Sequence, residues 1–228
     1  MTTQIAIALY PDLTLLDAIG PYQVLTLVPD VEVVVCAAER GRLTDDNGLI
    51  HIDVEHTFDD VTTPDVVLVG GGFGTRELMH SGSAIVEWIQ AADRHTTWTT
   101  SVCTGSLLLG AAGLLDGRTA TTHWHYTDLL EGFGATYSPE RVVADGKYLT
   151  GAGVSAGIDL ALRLTAILAG DDIARAVQLG IEYDPQPPFD AGSPFECDPP
   201  GDAGAPFLVR AVAANLSSGN FQSYDGGH

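Results

Sequence analysis

Lysine is almost missing: Lys147 is the single lysine of the 228 residues, and ten Lys and Arg stand against thirty Asp and Glu. The formal charge of -20 repels phosphate backbones and anionic headgroups, which argues against nucleic acid and membrane surfaces as partners. Two origins of the acidity stay open: a surface that keeps its water in concentrated salt, or the ordinary composition of a GC-rich bacterial protein. Cysteine is also scarce. Cys36, Cys103 and Cys197 are odd in number, widely spaced and without a CxxC pair. That pattern excludes a disulfide framework and a structural zinc site, and leaves individual thiols in a reducing compartment. No apolar run approaches the ~18 residues of a membrane span. Met1 to Gln4 lead directly into a strand-like segment and not into a signal peptide. The expectation is a soluble, cytoplasmic chain.

With 45% hydrophobic residues, the chain can bury a sizeable core. Residues 4–9 form a short apolar run, 15–27 carry helical spacing, and 31–37 are β-branched. Residues 65–69 run straight into Gly70-Gly71-Gly72-Phe73-Gly74, the profile of a buried parallel strand opening into a tight loop. Helices are expected over 84–92, 106–112, 155–168 and 171–182. Strands are expected over 97–102 and, weakly, 50–54, with a hairpin joining 141–143 to 148–150 through Asp145-Gly146. Alternation of this kind predicts an α/β fold with a mainly parallel sheet, helices on both faces and ligands beyond the carboxyl ends of its strands. The domain is expected to occupy residues 1–194. An acidic, Pro- and Gly-rich tail fills 195–228, with one short helix possible near 207–215.

Chemistry concentrates at a few positions. Cys103 lies between a strand and a helix, where a nucleophile elbow lifts its side chain above the sheet edge and a helix start favours the thiolate; a buried, inert thiol is the competing reading. The Gly70–Gly74 loop follows a neighbouring strand, and either an oxyanion hole facing Cys103 or a phosphate cradle fits it. The cradle lacks the G-x-G-x-x-G spacing. Asp17 sits among apolar neighbours at the start of the first helix, where burial would raise its pKa and make it a proton donor, unless it serves only the helix dipole. His123 and His125 suggest a metal or Cys-His site, yet no third ligand stands nearby, and a structural role is the simpler reading. Cys36 reads as an apolar filler. Cys197 has no partner, and Asp45-Asp46 and Asp59-Asp60 read as solvated turns.

The Gly-Gly turn and Ser101-Val102-Cys103-Thr104-Gly105-Ser106 resemble the DJ-1/PfpI superfamily. Gly110 to Leu115, Ala120 to Trp124, Gly157-Ile158-Asp159, Val177-Gln178-Leu179 and Pro187-Pro188-Phe189 are similar, more narrowly, to isonitrile hydratases. The resemblance runs from about Gln4 to Pro194. It implies a flavodoxin-like three-layer sandwich and a homodimer. It also implies Cys103 as nucleophile, Asp17 as its acid partner, Thr104 as an essential neighbour, and Gly71, Gly72 and Phe73 on the oxyanion and substrate side. Gly70 departs from the pattern, since relatives commonly carry proline there. The implied reaction adds water to an isonitrile and needs no cofactor. A glyoxalase or deglycase acting on small dicarbonyls, and a non-enzymatic ligand or redox sensor, are the alternatives.

Overall fold

The computed structural model describes residues 2–80 and 82–193. The tail over 195–228, with Cys197 and the possible helix near 207–215, lies outside the described residues. Among the described residues the strands are β1 (Thr3–Ala8), β2 (Val31–Ala37), β3 (Gly41–Thr44), β4 (His51–Val54), β5 (His56–Thr57), β6 (Val66–Val69), β7 (Trp98–Val102), β8 (Thr119–Ala120), β9 (Thr136–Tyr137), β10 (Val142–Asp145) and β11 (Tyr148–Gly151). The helices are α1 (Leu15–Leu25), α2 (Thr75–Leu78), α3 (Ala84–Asp93), α4 (Gly105–Ala111), α5 (Thr127–Gly132), α6 (Ala156–Ala169) and α7 (Asp171–Gly180).

Seven strands form one sheet in the order β10-β11-β7-β6-β1-β2-β5, and only the β10–β11 hairpin is antiparallel. The central strands carry continuous apolar runs because helices cover both faces. All of Val66 to Val69 is buried, as are Ile5, Ala6, Ile7 and Ala8. On one face α1 packs on α6, and on the other α3 packs on α4. The chain leaves β1 towards β2 on one side and later returns to place β6 on the other. Their carboxyl ends therefore flank a topological switch point, where an open α/β sheet leaves a crevice.

The expected β–α alternation is present, and the hairpin pairs Asp145 with Tyr148. His123 caps the 3-10 turn Trp124–Tyr126, and its Nδ1 accepts the His125 N–H at 3.3 Å. Asp45 is not solvated but buried, because its Oδ1 accepts the N–H groups of Leu49 (2.9 Å) and Ile50 (3.0 Å) at the tip of the β3–β4 hairpin. Asp46 at the same tip accepts the Thr14 hydroxyl at 2.6 Å, which ties the hairpin to the start of α1. Among the described residues no helix is long and apolar enough to cross a membrane.

Candidate active site

Cys103 follows the last residue of β7 and precedes α4 with φ 57, a left-handed conformation that costs a non-glycine residue about 1–2 kcal/mol. Hydrogen bonds hold it there from both sides. Its N–H donates to the carbonyls of Gly151 (3.1 Å) and Ala152 (2.9 Å), and its carbonyl accepts the hydroxyls of Ser106 and Thr122, each at 3.1 Å. The residue as a whole is 5% exposed. The backbone N–H groups of Val154 and Thr104 face the sulfur. Val154 has φ 29, an outlier for a β-branched residue and a second point of backbone strain at this site.

Asp17 is the third residue of α1, and its 0% exposure shows that it is a core residue and not merely a helix-start acid. Oδ2 accepts the Gly71 N–H at 2.8 Å. No conventional hydrogen bond reaches Oδ1, and the side chain facing the carboxyl is the Cys103 thiol. Burial lifts Asp17 from 3.8 to about 7 against the pull of the Gly71 N–H and Cys103, and the Asp46 charge adds to the rise. Burial, helped by the Asp17 charge, also pushes the Cys103 thiol upward and outweighs the N–H groups of Val154 and Thr104. The expected resting thiolate is therefore replaced by a thiol beside a carboxyl that titrates near neutrality.

The glycine loop brings these groups together. A Cβ on Gly70 would stand 2.9 Å from Asp17 Cβ, and one on Gly71 would stand 2.5 Å from both Thr104 N and Oγ1. Side chains at either position would push the acid and the elbow apart. The Gly72 N–H donates to Thr104 Oγ1 at 3.0 Å, and the Gly71 carbonyl accepts the Thr14 N–H at 2.9 Å. The N–H groups of Gly71 and Gly72 are thus engaged with the side chains of Asp17 and Thr104. Phe73 follows them, half-buried.

Three neighbours were not singled out from sequence. Tyr10 and Thr75 are buried, and each carries a hydroxyl into the hydrogen bonds around Thr104. Tyr10 directly follows the last apolar residue of the first run, which is a readable signal for a polar group at a strand's carboxyl end. Val154 left no signal, since its contribution is a main-chain N–H. His123 is half-buried against Gly153, where an added Cβ would lie 2.7 Å from the ring. Burial lowers its pKa to about 4, so it is neutral. No three His, Cys, Asp or Glu side chains converge on a metal position among the described residues. Cys36 is the expected filler, buried in β2 with its thiol pushed up to about 12.

Comparison with known proteins adds an independent line. The DJ-1/PfpI family model matches residues 3–167. An isonitrile hydratase from Pseudomonas putida is 46% identical over 194 residues, covering 85% of this chain and 84% of that protein. An HTH-type transcriptional regulator from Pseudomonas aeruginosa is 32% identical over 61% of this chain, but that span is only 41% of the regulator. Among solved structures, a ThiJ/PfpI family protein from Pseudomonas syringae has a TM-score of 0.87 and 35% identity, with 96% of this chain and 89% of that chain covered.

Proposed function

This chain belongs to the DJ-1/PfpI family, and from that membership we propose that it hydrates isonitriles to N-substituted formamides through Cys103 and Asp17. One observation carries the reading: a wholly buried carboxyl with a pKa of about 7 faces the elbow thiol. Such a group can accept a proton and return it within one catalytic cycle.

The isonitrile carbon has no leaving group, so hydration requires a soft nucleophile at carbon and a proton delivered to the same atom. The Asp17 carboxylate takes the thiol proton while sulfur forms the C–S bond. Asp17 then gives that proton to carbon, leaving the thioimidate R–N=CH–S–Cys103. Water adds to this carbon with its proton passing through Asp17 to nitrogen. Collapse breaks the C–S bond, releases R–NH–CHO and returns the proton to sulfur. The sum is isonitrile plus water, with no change of oxidation state and no cofactor. The N–H groups of Thr104 and Val154 support sulfur whenever it carries charge. Gly71 and Gly72 fix the acid and Thr104, and Phe73 borders the substrate.

Purified protein incubated with an alkyl isonitrile should yield the formamide, followed by NMR, and Cys103→Ala should abolish it. Loss of methylglyoxal without formamide formation would favour the dicarbonyl reading; neither reaction, with ready Cys103 oxidation, would favour a sensor. We further propose a homodimer in the cytoplasm, with the acidic surface suited to salt. Leu16 and Ile19 on α1 and Leu49 and Ile50 on the adjoining hairpin expose apolar surface that supports self-association.

A further inference from the structure

Behind Asp17 and Cys103 runs a chain of three hydroxyls. Tyr10 OH donates to the Gly70 carbonyl at 2.7 Å, Tyr10 and Thr75 are linked at 3.0 Å, and Thr75 and Thr104 are linked at 3.0 Å. Its polarity follows from its ends. The Gly70 carbonyl can only accept, and the Gly72 N–H that reaches Thr104 Oγ1 can only donate. Each hydroxyl therefore passes its proton in one direction, from Thr104 to Thr75 to Tyr10 to Gly70. Gly70 C=O and Gly71 N–H are the two ends of one planar peptide unit, and the second end holds Asp17 Oδ2 at 2.8 Å. The hydroxyl chain thus grips the peptide that grips the acid, and aligned hydrogen bonds polarise one another. All three hydroxyl residues are at most 5% exposed.

We propose that Tyr10 and Thr75 are positioning residues, which hold the Gly70–Gly71 peptide on Asp17 and the Thr104 hydroxyl on Gly72 without touching substrate. The proposal rests on the reading of Asp17 as the proton carrier for Cys103. The titratable groups around Asp17 are Cys103 at the elbow, Tyr10 after β1 and Asp46 on the β3–β4 hairpin. Loss of the Tyr10 hydroxyl frees the peptide to tilt. A weaker Gly71 N–H bond makes the carboxyl harder to ionise.

The test compares Tyr10→Phe, Thr75→Val and Thr75→Ser in the full chain with two readouts: the pH profile of kcat/KM for an alkyl isonitrile, and the pH profile of Cys103 alkylation by iodoacetamide. In Tyr10→Phe and Thr75→Val the acid limb of both profiles should move up by about 0.5–1 pH unit, and kcat should fall about 10- to 100-fold with KM within about 3-fold. Thr75→Ser, which keeps the hydroxyl, should match the parent. Profiles of Tyr10→Phe and Thr75→Val that superimpose on the parent overturn the proposal, whatever happens to Tm. Should Tyr10→Phe fold poorly, the near-isosteric Thr75→Val decides. A parent enzyme that yields no formamide overturns the hydratase reading alone, since the alkylation profiles still decide the positioning role.

Discussion

Replacing Asp17 by Asn is expected to remove turnover and yet stabilise the protein at alkaline pH. Asp17 has a pKa of about 7 in the folded state against 3.8 in the open chain. Between those values the unfolded chain has released the proton and the folded one has kept it, so rising pH favours unfolding; above about 7 both forms are ionised and the penalty stops growing. The full gap of roughly 3 units corresponds to about 4 kcal/mol at pH 8, of which less than half is already present at pH 5. Asn carries none of it. The stability difference between variant and parent should therefore move in favour of the variant by about 2–3 kcal/mol from pH 5 to pH 8. An unpaired Asn N–H group near the former Oδ1 position subtracts about 1–2 kcal/mol at both pH values, and so leaves that change untouched. In a chain of this size the change amounts to a Tm difference of about 5–10 °C. Urea and thermal unfolding of both proteins at the two pH values and one ionic strength measure it. A difference that stays constant with pH would show that Asp17 is not held as a buried acid.

Four other outcomes are expected. The acid limbs of kcat/KM and of Cys103 alkylation should lie near pH 7, because the pair becomes competent once Asp17 can accept the thiol proton, and Asp17→Asn, though inactive, should remain alkylatable at Cys103 without that limb. Gly71→Ala puts a Cβ 2.5 Å from Thr104 N; it should cost about 1–3 kcal/mol in urea unfolding and most of the activity. The single lysine pairs with buried Asp93 at 3.1 Å, so Lys147→Met should destabilise by about 1–3 kcal/mol and adding Asp93→Asn should restore much of it in unfolding experiments. If the acidity serves a salt-adapted surface, Tm should climb steeply from 0.1 M to molar KCl as the screening length falls from about 10 Å to about 3 Å; a flat dependence would refute that reading.

Much of the architecture was legible because it rests on local pattern. Val66 to Val69 could only be a strand covered on both faces, and the break into consecutive glycines marked its end. Cys103 was legible for the same reason, as a thiol at a junction between a β-branched run and a small-residue helix. Where residue type misled, the local hairpin geometry decided. Asp45 looked solvated but is satisfied by N–H groups four and five residues ahead.

Periodicity and turn chemistry, both properties of residues near one another in the chain, pointed to the α/β class and to the elbow at Cys103, whereas the burial of Asp17 and its proton affinity came with the tertiary structure. The proton balance was decided only by folding. Asp17 and Gly71 are 54 residues apart in the chain, and their 2.8 Å contact exists because β1 and β6 become neighbours at the switch point. The Val154 N–H beside the sulfur, the hydroxyl chain from Thr104 to Tyr10, and the dominance of burial over helix-start N–H groups at Cys103 have the same origin. A pKa depends on which atoms replace water around a group, and neighbours along the chain do not specify those atoms.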